Sequence, residues 1–72
     1  MSKQSSLKVA VGDRIIVRVD SFSVEGTVHS AAHYGEDGWY IEMIEASVPG
    51  GVSYWKQGID GGQIISINGV AV

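Results

Sequence analysis

Tyr54, Trp55 and Lys56 set two large aromatic rings beside the last lysine of the chain. On an extended strand Tyr54 and Lys56 share one face and Trp55 takes the other. A ring with a cation beside it can stack a base or another planar ring, and it can anchor a protein interface. Trp55, turned the other way, is expected in the core. Just downstream lie Gly58, Asp60, Gly61 and Gly62. A glycine-rich loop can cradle phosphate with its main-chain N–H groups, usually where it opens a helix. No helical pattern follows here, and Asp60 would repel an anion. The segment reads as a turn between two strands.

The remaining reactive side chains do not assemble. His29 and His33 are four apart, a spacing that converges on a helix but not across a strand and a bend, so they read as surface histidines. Glu42 and Glu45 are separated by an odd number of positions. On one strand they face opposite ways and cannot share a proton between them. Glu36 and Asp37 sit between Gly35 and Gly38, without the regularly spaced oxygen ligands of a calcium loop. The chain has no Cys, which excludes a disulfide, a thiolate metal site and a cysteine nucleophile. No nucleophile, base and orienting group come together, and the expectation is a protein without catalytic activity, metal or cofactor.

Val and Ile together number 18, and Leu7 is the lone leucine. β-Branched side chains lose rotamer freedom in helices and pack well on pleated sheets, so the bias points to an all-β fold. Residues 1–8 read as a flexible polar tail and 9–72 as one domain. Ile15, Val17 and Val19 alternate onto an inner face, and Asp20-Ser21 makes a tight turn. Phe22, Val24, Gly26 and Val28 continue an inner row, with Gly26 marking a bulge or a close backbone approach. Residues 30–38 read as a loop. A third strand spans 39–46, with Trp39, Ile41 and Met43 inward and Tyr40, Glu42 and Ile44 outward. Ser47 to Gly51 form a turn, VSYWKQ a fourth strand, and QIISINGVAV a fifth that Asn68-Gly69 ends with a tight turn. Five short strands without a helix predict a small five-stranded SH3-like barrel.

A 72-residue chain makes one small domain and buries only about 60% of its unfolded surface. Its mean hydropathy of +0.13 is high for that size and leaves apolar surface for a partner. The net charge is −3 and unevenly placed. Lys3, Lys8, Arg14 and Arg18 crowd the first quarter with Asp13, and beyond them only Lys56 opposes seven acids. That basic end suits an acidic partner or the acidic remainder of a neighbouring subunit. It makes nucleic-acid binding a weak alternative and duplex DNA an unexpected partner, since DNA-binding domains carry a basic stripe. The N-terminus has no apolar run of signal-peptide length, and no stretch approaches the roughly 20 apolar residues that span a membrane. The expected location is cytoplasmic.

Four segments fall in one order: Gly12-Asp13-Arg14-Ile15, Gly26-Thr27-Val28, Gly38-Trp39-Tyr40-Ile41-Glu42 and Pro49-Gly50-Gly51-Val52. This order resembles the plasmid- and integron-borne type II dihydrofolate reductases. The resemblance covers residues 12–55 and implies an SH3-like barrel that assembles around a central pore. It breaks at the catalytic strand. Where that family reads Val-Gln-Ile-Tyr, this chain reads Val52-Ser53-Tyr54-Trp55, with Ser53 for the glutamine and Trp55 for the tyrosine. The family's substrate-steering lysine falls near Val17, and Arg18, one position away, points to the opposite face. The resemblance implies the scaffold and not the reductase activity. The runs Trp39-Tyr40-Ile41-Glu42, Tyr54-Trp55-Lys56-Gln57 and Asp60-Gly61-Gly62 also look like small proteins of phages and mobile elements.

The expected protein is therefore a binding or assembly module. Tyr40, Ile44, Tyr54 and Lys56 form its outer platform, and a second copy of the chain is its first expected partner. A small planar ligand on the same platform, or a host protein met by a phage inhibitor, are the alternatives.

Overall fold

The computed structural model describes residues 9–34 and 38–72. The expected tail at residues 1–8 and the Glu36-Asp37 pair lie outside the described residues. Six strands form one antiparallel sheet: β1 (Arg14–Val19), β2 (Phe22–Tyr34), β3 (Gly38–Ile44), β4 (Val52–Lys56), β5 (Gln63–Ile67) and β6 (Val70–Ala71). Their order across the sheet is β4-β3-β2-β1-β5-β6. The all-β expectation holds, and the described residues contain no helix. Beyond the five strands expected there is a sixth, two residues long, returned by a turn in which Asn68 and Gly69 have φ of 53° and 83°. Two successive positive φ angles make the turn whose twist suits a two-residue hairpin.

β2 organises the molecule. Its first half pairs with β1, from Val19↔Phe22 to Arg14↔Thr27, and its second half pairs with β3, from Thr27↔Ile44 to Tyr34↔Gly38. The sheet therefore changes neighbours at Gly26 and Thr27. Gly26 is buried there, and a Cβ on it would lie 2.8 Å from Met43 Cβ and 3.2 Å from Ala46 Cβ. The glycine expected to allow a close approach does so. The bulge is elsewhere, a register shift between Val28 and Ser30.

Two strand expectations need correction. Residues 30–34 are strand, not loop, because Ser30 to Tyr34 pair with Glu42 to Gly38. The third strand is shorter than 39–46: it ends at Ile44, and Glu45 turns out of it with φ 52°. Alternation elsewhere sorts the side chains as read. Ile15, Val17, Val24, Val28, Ile41, Met43, Trp55 and Ile64 form the core. Each such burial stabilises by roughly 1.5–3 kcal/mol. Phe22 keeps its inward parity beside Val24 but is not covered. It is 58% exposed, because the β1–β2 hairpin tip projects past the end of β3 and nothing in β3 lies opposite it.

Candidate functional site

The outer face of β3 and β4 carries the platform residues. The register pairs Tyr40 with Lys56, Glu42 with Tyr54 and Ile44 with Val52. The Gln57 N–H donates to the Trp39 carbonyl at 2.8 Å, which makes that the hydrogen-bonded kind of pair. Alternation then assigns Ile41–Trp55 and Met43–Ser53 to the same kind. The three outward pairs are of the other kind, in which side chains come closest. The contacts follow. The Tyr40 and Tyr54 rings stack with centroids 6.2 Å apart and planes 23° from parallel. Lys56 Nζ lies 5.6 Å from the centre of the Tyr40 ring. Tyr54 is 56% exposed and Val52 43%, while Tyr40 and Ile44 are half-buried. All four expected residues thus share one face.

Glu42, expected outward and unable to converge with Glu45, takes a role on this face. Its carboxylate lies beside the Tyr54 phenol and raises its pKa above 10.0, first by its charge and then as acceptor of the hydroxyl's hydrogen bond; slight burial and Tyr40 add to the shift. Glu45, past the end of β3, is not beside it. His29 is exposed on β2 at the register shift, and His33 follows four residues along the same strand.

The inner side of β4 and the glycine-rich segment behave as read. Trp55 is buried, and its indole N–H donates to the Gly61 carbonyl at 2.8 Å. The turn is closed by Asp60, which accepts the Lys56 N–H at 2.8 Å and donates its own N–H to the Lys56 carbonyl at 2.9 Å. Gly62, at φ 74°, passes so near the Arg18 carbonyl that a Cβ would collide with it. These glycines make turns and close passages, and one oxygen of the Asp60 carboxylate is held by the main chain.

Arg14 is the residue whose role the sequence reading missed. It was counted as part of a basic end open to partners. Its guanidinium instead donates to Glu25 Oε2 at 3.2 Å, to Thr27 Oγ1 at 3.0 Å and to the Glu45 carbonyl at 3.0 Å. It ties β1 to β2 and to the end of β3. Asn68 completes the clasp by accepting the Arg14 N–H at 3.0 Å and donating to Asp13 Oδ1 at 3.2 Å. The Gly-Asp-Arg spacing was the one available signal for it. Arg18 stays exposed.

A cleft of about 310 Å³ opens on the inner side, between the β1–β2 hairpin and β4. Val19, Phe22, Val24 and Met43 line it with Ser53 and Trp55. Among the described residues no helix is long and apolar enough to cross a membrane. No known protein family, curated protein or solved structure matches the chain.

Proposed function

We propose that the chain is a non-enzymatic binding and assembly module of phage or mobile-element type, an SH3-like barrel working in the cytoplasm, that self-associates through the outer face of β3 and β4. The single observation that carries this reading is the stacked Tyr40–Tyr54 pair with Lys56 against it, flanked by Ile44 and the exposed Val52. Aromatic and aliphatic surface in one place, rimmed by one cation and one carboxylate, has the composition of an interface core with a polar rim. A second copy is the simplest occupant because twofold contacts are the commonest.

The same ring pair supports a second reading, in which a small planar ligand stacks on Tyr54 in an oligomer built on a scaffold like that of the type II reductases. The reductase chemistry is not part of it, since Trp55 is in the core and Ser53 offers only a short hydroxyl. Amide chemical-shift mapping on dilution tests the first reading. Shifts should centre on Tyr40, Ile44, Tyr54 and Lys56; a spectrum that does not change with concentration contradicts self-association.

A further inference from the structure

β4 is the end strand of the sheet, and among the described residues nothing pairs with its outer edge. The alternation fixed by the Gln57–Trp39 bond turns the main-chain N–H and C=O of Val52, Tyr54 and Lys56 toward that edge. Lys56 is already served: its N–H goes to Asp60 Oδ2, and its carbonyl accepts the N–H groups of Ile59 and Asp60. Val52 and Tyr54 remain, two residues apart, each offering one donor and one acceptor.

The apolar cleft lies against this same edge. Ser53, Tyr54 and Trp55 line it in succession, although the Tyr54 ring is on the opposite face. It therefore runs along the β4 backbone. Its volume of about 310 Å³ lies at the small end of ligand-sized pockets. Its walls are aliphatic and aromatic apart from Ser53, and Asp60 supplies one negative charge.

We infer that this edge and cleft form a binding site for an extended peptide, added antiparallel to β4 as a further strand. The geometry assigns its pattern. One peptide residue lies opposite Ser53, and its side chain enters the cleft, where the small Ser53 leaves room for a large apolar group. The residues on either side of it lie opposite Val52 and Tyr54 and exchange main-chain hydrogen bonds with them. The next residue, opposite Trp55, faces inward again toward the end of the cleft that holds Asp60, and suits Lys or Arg. A second copy of this chain fits less well. Its own β4, centred on Ser53, would bring only Ser53 and Gly51 to the cleft beside an already buried Trp55, and the apolar volume would stay unfilled. The apolar group enters on the inner side of the sheet, and only the peptide side chains opposite Val52 and Tyr54 turn toward the outer face.

The probe is the blocked pentapeptide acetyl-Lys-Thr-Phe-Thr-Lys-amide, titrated into the full chain and followed by amide and methyl chemical shifts. Shifts should appear at the Val52 and Tyr54 amides and at Val24 and Met43. N-methylation of either Thr should weaken binding by about tenfold or more, because those amides face β4. N-methylation of the Phe should have little effect, because that amide faces away. Replacing the Phe by Ala should abolish binding. Tyr40→Ala should leave it unchanged. The proposal is overturned if the peptide does not bind at about 1 mM, or if the Thr- and Phe-methylated peptides bind alike. Without peptide, protection of the Val52 and Tyr54 amides that still rises with protein concentration in the Tyr40→Ala variant, whose outer face no longer associates, would give the edge to a second copy and overturn it too.

Discussion

Tyr40 and Tyr54 are diagonal neighbours across β3 and β4, and their rings stack 6.2 Å apart at 23° although neither faces the core. Tyr40's direct partner, Lys56, lies against the same ring at 5.6 Å. Two rings, a cation and the Glu42 carboxylate thus occupy one solvent-facing patch. Monomers seldom leave contiguous apolar patches of this kind uncovered.

The Tyr54 phenol should titrate late. Its folded pKa is raised above 10.0, chiefly by the Glu42 charge, so the protonated form is the one the fold favours. The contribution to stability is full below the unfolded pKa of about 10 and is lost as pH rises through the folded value. Ultraviolet titration should show the Tyr54 phenolate forming above the ordinary tyrosine value, and Glu42→Gln should bring it back toward that value. An unchanged titration in that variant would break the pairing of Glu42 with Tyr54.

Gly26→Ala should destabilise the fold by about 1–3 kcal/mol, as overpacking does in a tight core. The added methyl meets Met43 Cβ at 2.8 Å, and neither strand can retreat without giving up the change of partners at Thr27. Urea unfolding measures it. A variant as stable as the parent would show that β2 does not need its glycine at the bend.

Arg14→Ala should cost about 1–2 kcal/mol, because it releases the Glu45 carbonyl and Thr27 together with a half-exposed ion pair that adds little by itself. Arg14→Lys should recover only part, since an ammonium cannot match the planar fork of donors. Full recovery with lysine would reduce the clasp to simple charge.

Purified protein should leave NADPH oxidation in the presence of dihydrofolate at background. Trp55, which the resemblance would set at a pore tyrosine, is in the core, bonded to Gly61. Clear turnover would restore the activity to the resemblance.

The strands that could be read were those whose neighbours lie close in sequence. Alternation placed Ile15, Val17, Ile41 and Met43 correctly, because one side faces a core whatever the topology. It also placed Tyr40 beside Tyr54, since a short turn forces β3 and β4 to pair. It failed for residues 30–34, where Ser30, Ala31 and Ala32 are small, and their strand is held by the long register with β3 rather than by pattern. Phe22 looked inward by parity, but parity does not say where the facing strand stops. Arg14 looked like a free charge because the Glu45 carbonyl and Asn68 that occupy it lie far along the chain.

Self-association through the Tyr40–Tyr54 face is the central claim, and sedimentation equilibrium at tens of micromolar protein tests it most directly. The full chain should sediment as an oligomer, a dimer in the simplest case, and Tyr54→Ala and Tyr40→Ala should each shift it toward monomer while circular dichroism stays that of a β protein. A chain that sediments as a clean monomer, with both substitutions leaving mass and stability unchanged, would contradict the claim and return the ring pair to ordinary surface.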